Sequence, residues 1–206
     1  YMDVRRDTVA RLANALALSR EQAAKELSAA LQEEIRALDM PRQAFDITLS
    51  KLDELGRSGG EAVEFMFSSA GDDLLKPISK CASGGEMSRI MLCVKSHLAG
   101  KSEMPTVIFD EIDTGISGSL ADKVGKKIVE MGRDTQVIAI THLPQVAVKG
   151  NAHYLVYKEY GENAATSHIR QIEGDERVRE IARMISGSEI TPEAMANARV
   201  LLEIKQ

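Results

Sequence analysis

Residues 1–39 contain neither glycine nor proline, and Val9, Leu12, Leu16, Ala23, Leu27, Leu31, Ile35 and Leu38 recur among them mostly three or four positions apart. That spacing gathers apolar side chains on one side of a helix. Six Arg or Lys and seven Asp or Glu fill the positions between. The pattern predicts a single amphipathic helix stopped by Met40-Pro41, because a proline ring cannot continue the helical hydrogen-bond ladder. A helix of about 36 residues spans roughly 54 Å. That is long for a domain of this size, and a coiled-coil arm fits it better than a helix lying along a domain surface. Residues 1–40 are therefore read as an arm and 41–206 as a separate lobe.

Beyond the arm the period changes. Residues 44–52 and 62–67 alternate apolar and polar side chains and predict two antiparallel strands joined through Gly56-Arg57-Ser58-Gly59-Gly60. A polar stretch, 68–80, separates them from Ser83-Gly84-Gly85-Glu86, which opens a helical run to about residue 98. Residues 105–110 form a short apolar run ending in carboxylates, 117–131 have helical spacing, and 136–140 form a second apolar run ending at Thr141-His142. A short helix over 143–149, a hairpin of 154–160 with 166–172, and two helices over 175–186 and 192–204 complete the chain. Gly187 should stop the first of these helices; Thr191 and Pro192 should cap and start the second. Strand, helix, strand in the middle predicts an α/β fold with a parallel sheet flanked by helices. In such sheets ligands bind beyond the carboxyl ends of the strands, so the acidic turn after Phe109 and the Thr141-His142 turn should lie side by side.

Composition narrows the functional classes. Hydrophobic residues at 44% and charged residues at 28% describe a globular chain, and aromatics at 4% leave it an aliphatic core. A net charge of −5 disfavours phosphate binding over the whole surface and leaves room only for a local basic patch. Cys81 and Cys93 are too few for a disulfide framework and fit a reducing compartment. No apolar run approaches the roughly 20 residues needed to span a bilayer, and no secretory leader is visible. The chain opens with Tyr1-Met2-Asp3 in the middle of the helical pattern, as a segment of a longer protein would.

Three constellations carry chemistry. Asp110 and Glu111 directly follow an apolar strand. Paired carboxylates there are costly unless a cation or a reaction uses them; the first suits Mg²⁺ and the second suits activation of a water. An acidic loop capping the next helix would look the same. Ser83-Gly84-Gly85-Glu86 combines glycines, which admit close backbone approach, with the free N–H groups of a helix start, which favour an anion; Ser83 and Glu86 also fit an ordinary capping box. His142, just past a strand end, could donate to a phosphate or hold a water, or be a structural histidine. A G-x-x-x-x-G-K-[ST] phosphate loop occurs nowhere in the chain; Gly125-Lys126-Lys127 is the nearest fragment and lies within a predicted helix.

Taken together and in order, these segments resemble ABC-type ATPases: Ser83-Gly84-Gly85-Glu86 their signature motif, Ile108-Phe109-Asp110-Glu111 their Walker B strand, and His142 their switch histidine. A long coil leading into such a half-domain is similar to the C-terminal part of an SMC-like protein. The segments CASGGEMSRIML from Cys81, FDEIDTGISG from Phe109, THLPQV from Thr141 and EFMFSS from Glu64 resemble the RecN family of bacterial DNA repair proteins over nearly the whole chain. Departures at Ser69-Ala70-Gly71 and Lys149-Gly150-Asn151 touch none of the proposed chemistry.

The resemblance implies the C-terminal half of an ABC/SMC-type ATPase head with an N-terminal coiled-coil helix, acting in double-strand break repair and recombination. ATP and Mg²⁺ are the implied cofactors. Asp110 would support the metal, Glu111 would be the base, and His142 would act at the γ-phosphate. Ser83, Gly84, Gly85 and Glu86 would meet nucleotide bound to a second head, and the stretch containing Asp113 and Ser117 would couple the two sites. The implied partners are the N-terminal half of the same head, a second copy through ATP-sandwiched heads, and DNA, with no membrane and a cytoplasmic, nucleoid-associated setting. The full-length dimer would be an ATPase and this segment alone inactive. A head from another SMC-like or ABC-type system, or a non-catalytic coiled-coil interaction module, are the alternatives.

Overall fold

The computed structural model describes residues 2–71, 74–80, 82–99, 104–110, 112–160 and 165–203. They form two compact units, residues 1–97 and 98–206.

The first unit is built on α1 (Met2–Ala37), a 36-residue helix as the periodicity predicts. It ends two residues before the expected stop, because Asp39 takes a left-handed turn at φ 57° and turns the chain before Pro41 is reached. Only its C-terminal half is covered: Ala24, Leu31 and Ile35 are buried, whereas Val4, Val9, Leu12 and Leu18 are more than half exposed. The covered half lies against β1 (Ala44–Gly56), which pairs antiparallel with β2 (Gly59–Ser68). Polar side chains fix that seating. Ser28 Oγ donates to Asp46 at 2.8 Å, Gln32 donates to the Gln43 carbonyl at 3.0 Å, and Gln32 accepts the Phe45 N–H at 2.8 Å.

The strands run further than their alternation indicates, and Gly56 pairs with Gly59 across a turn of only Arg57 and Ser58. Gly59 has φ 103°, a conformation that favours glycine, and a Cβ there would fall 2.8 Å from the Arg20 guanidinium and 3.1 Å from Leu16, side-chain ends that would have to shift. Arg20 in turn pairs with Glu61 at 3.2 Å. A two-residue strand β3 (Lys76–Pro77) adds to β2 from within the polar stretch. The helix α2 (Gly84–Leu98) buries Ile90, Leu92 and Cys93, and the sheet buries Phe45, Ile47 and Phe67.

In the second unit β4 (Thr106–Phe109), α3 (Gly118–Met131) and β5 (Gln136–Ala139) form the expected strand–helix–strand, with the two strands parallel. One face of this pair is packed, through Val107 and Phe109. The other is open: Ile108, Ile138 and Ile140 are 61%, 45% and 52% exposed. The short helix α4 (Pro144–Ala147) crosses α3 where Gly125 sits; a Cβ at Gly125 would come within 3.3 Å of the Gln145 carbonyl. Gly125 therefore serves helix packing. The hairpin β6 (His153–Tyr160) and β7 (Ala165–Ile172) is followed by α5 (Gly174–Ser186) and α6 (Pro192–Glu203). Ile181 and Ala182 of α5 pack with Ala194 and Ala198 of α6 and with Val148. The expected boundaries hold: Gly187 at φ 83° donates its N–H to the Arg183 carbonyl, and Thr191 Oγ1 caps the Ala194 N–H at 3.1 Å. Among the described residues no helix is long and apolar enough to cross a membrane.

Candidate functional site

Parallel pairing continues past the end of β5, where the Ile140 N–H donates to the Phe109 carbonyl at 2.8 Å. The turns that follow β4 and β5 therefore leave the sheet at the same edge. Asp110 is exposed directly at the end of β4. Glu111, the expected base, lies outside the described residues, as does Cys81. Ile112 and Ile116 are buried and pin both ends of the next turn. Between them Asp113 is 1% exposed. Ser117 is the extended residue preceding α3, and its side chain caps no backbone N–H.

The Asp113 carboxylate is the centre of the arrangement. Its Oδ2 accepts from the Thr141 hydroxyl, from the His142 N–H at 2.8 Å and from the Leu143 N–H at 3.2 Å. The Nδ1 atom of His142 lies 3.2 Å from the same oxygen. Thr141 Oγ1 also accepts the Leu143 N–H at 3.0 Å, which sets Leu143 in the extended conformation preceding α4. Oδ1 of Asp113 is buried and has no partner among the described residues. The His142 ring is the exposed member, with 71% of its side chain open. The acidic turn and the histidine turn are thus adjacent, as their places at the strand ends predict, and a single buried carboxylate joins them. Sequence reasoning placed Asp113 in a coupling loop and missed its link to Thr141.

The far end of α4 is held separately. Arg177 of α5 donates to the carbonyls of Val148 and Gly150, at 3.3 and 2.8 Å. Lys149 pairs with Asp122 of α3 at 2.8 Å, and Lys126 does so at the same distance. These two lysines lower the Asp122 pKa. Burial lowers the pKa of Arg177, and burial followed by the nearby Arg177 charge lowers that of His153. His142 therefore projects from a segment anchored at both ends.

In the first unit Ser83, Gly84, Gly85 and Glu86 open α2. The capping box forms: Ser83 donates its N–H and its hydroxyl to Glu86 Oε2 at 2.9 and 2.8 Å, and the Glu86 N–H reaches Ser83 Oγ at 3.3 Å. A Cβ on Gly84 would meet nothing within 4 Å, so nothing among the described residues requires glycine there. Among the described residues no group of three or more His, Cys, Asp or Glu gathers to hold a metal.

No family model matches the chain. Curated proteins do. The DNA repair protein RecN of Streptomyces coelicolor is 36% identical over 98% of this chain and 37% of its own length. That of Rickettsia prowazekii is 41% identical over 93% of this chain and 35% of its own length, and that of Vibrio cholerae 38% identical over 98% and 36%. The chain thus spans little more than a third of the relatives it matches. Among solved structures, an Smc head domain with a coiled coil and joint from Pyrococcus yayanosii superposes with a TM-score of 0.59 over 82% of this chain and 30% of that one, at 17% identity. An Smc head domain from Pyrococcus furiosus with an extended coiled coil, bound to the C-terminal domain of ScpA, gives 0.53 over 81% and 39%, at 18% identity. These likenesses identify a mixed α/β fold of the SMC head type. Over nearly its whole length, this chain is homologous to a segment of the RecN family of DNA repair proteins.

Proposed function

We propose that this chain is the C-terminal half of an ATP-binding and ATP-hydrolysing head in a DNA double-strand break repair protein. The observation that carries the reading is the convergence of the turns after β4 and β5, where Asp110, Asp113 and His142 occupy one edge of a parallel sheet. With ATP bound, Mg²⁺ would neutralise phosphate charge and would be met by Asp110 directly or through water. No group of described side chains forms a metal cage by itself, so the remaining ligands would come from nucleotide, water and the other half of the head. Glu111 would take the proton of the attacking water, and His142 would present its exposed ring to the γ-phosphate. The other half would supply the phosphate loop that the sequence lacks.

The open isoleucine face supports that incompleteness. Parallel sheets are ordinarily covered on both faces, and two four-residue strands bury too little to stand alone. Ser83 and Gly84 suit nucleotide carried by a second head, since open space lies in front of Gly84. The exposed apolar half of α1 suits pairing with a returning helix as a coiled coil. DNA contact would rest on local basic patches, given the net charge of −5.

Substitutions in the full-length protein test the reading. Glu111→Gln should bind ATP and hydrolyse it about 10²–10⁴-fold more slowly. Ser83→Arg should leave ATP binding by one head intact and abolish ATP-dependent dimerisation. Parental hydrolysis by Glu111→Gln, or parental dimerisation by a folded Ser83→Arg protein, would overturn it.

A further inference from the structure

We propose that Asp113 is a positioning residue for His142: it holds the ring with Nδ1–H directed inward, so that Nε2 is the atom offered to the ligand. The inference rests on the head reading for its purpose, but its geometry stands independently. Buried carboxylates are costly and are kept where donors converge on them. Here one oxygen collects the Thr141 hydroxyl and the N–H groups of His142 and Leu143, which are donors from three consecutive residues. These contacts fix the backbone on both sides of His142. Its Nδ1 then falls 3.2 Å from the same oxygen.

A carboxylate oxygen only accepts, so a stabilising contact at that distance requires the proton to be on Nδ1. In the neutral ring this leaves the Nε2 lone pair facing outward, where it accepts a hydrogen bond from water. In the charged ring Nε2–H faces outward and donates to a phosphate oxygen. In either state Nδ1 is the nitrogen beside the Asp113 carboxylate, the kind of partner that orients histidines in hydrolytic and metal sites. Asp113 itself has 1% of its surface accessible and acts on a ligand only through His142.

The test is the ring tautomer, read from ¹⁵N chemical shifts of His142 in this chain without nucleotide at a pH where the ring is neutral. Nδ1–H should dominate in the parent. It should persist in Thr141→Val, which removes one donor to Asp113 and leaves the carboxylate. It should give way to Nε2–H in Asp113→Ala. If that variant does not fold, the parent and Thr141→Val spectra decide the matter. A parent spectrum dominated by Nε2–H would overturn the proposal, as would an unchanged tautomer in a folded Asp113→Ala chain. In the full-length protein Asp113→Ala should lower kcat for ATP about 10- to 100-fold, as loss of an orienting outer partner does, with KM little changed. An absence of ATPase activity in the parent would count against the head reading and leave the tautomer result standing.

Discussion

The open face of the β4–β5 pair allows the proposed other half to be weighed. Ile108 and Ile138 are direct partners in the parallel register, and 61% and 45% of their surfaces remain accessible. Full burial of an isoleucine contributes about 1.5–3 kcal/mol, so covering the exposed fractions contributes roughly 0.9–1.8 kcal/mol at Ile108 and 0.7–1.4 kcal/mol at Ile138. Replacing both with threonine keeps the β-branched shape that suits a strand and removes most of that gain. In the isolated chain the positions are solvent-facing, and each substitution should shift stability by no more than about 0.5 kcal/mol. In the assembled head the pair should lose most of the combined gain of about 1.6–3.2 kcal/mol of association, a Kd weaker by up to roughly 15- to 200-fold. Calorimetric titration of the parent and the Ile108→Thr/Ile138→Thr chain with the other half as a separate polypeptide reads this directly, and urea unfolding of each chain alone provides the control. Equal affinities would refute the reasoning. So would a double variant that loses as much stability alone as it loses in binding, because the two side chains would then be packing within this chain.

Two further outcomes follow from local chemistry. Ser83→Ala should cost about 1 kcal/mol of stability by opening the capping box at α2, measured by chemical denaturation. Burial and Arg177 hold the His153 pKa below its ordinary 6.5. The unfolded chain therefore takes up a proton there first as pH falls from 6.5, and stability should decline through that window until the folded-state pKa is passed. His153→Gln should flatten that part of the stability–pH curve, and a slope unchanged from the parent would show that other groups govern it.

The periodic elements were legible because their signals are local. The spacing from Val9 to Leu38 marks a helix wherever it packs, and the folded α1 has the length that the spacing implies. Gly187 and Thr191 likewise act within one turn. Elements maintained by distant pairing were not legible. Residues 53–56 of β1, beyond the expected strand end, are exposed and carry no burial pattern; they are strand because β2 lies opposite, across a turn of only two residues. Lys76–Pro77 becomes a strand only through Met66 and Phe67. The apolar runs around Val107 and Val137 read as strands covered on both faces, whereas the structure covers one. At the candidate site, position after a strand indicated Asp110 and His142. Nothing near Asp113 indicates that its carboxylate bonds a threonine 28 residues away.

The anchoring of α1 has a mechanical consequence. The helix is gripped by Ser28 and Gln32 and braced by the hairpin from Arg20 and Leu16 as far as Val9, which lines a cavity with Leu55 and Gly56. Met2 to Thr8 extend past that brace as a stiff lever of about 10 Å. A rotation of about 10° at the root would carry its tip about 2 Å, on the order of one residue of helical rise. Any event that reseats β1 against Gln32 would thus be amplified along the arm, and any pull on the arm would be delivered to the Arg20–Glu61 pair and to the Leu16 and Arg20 side chains that lie over Gly59.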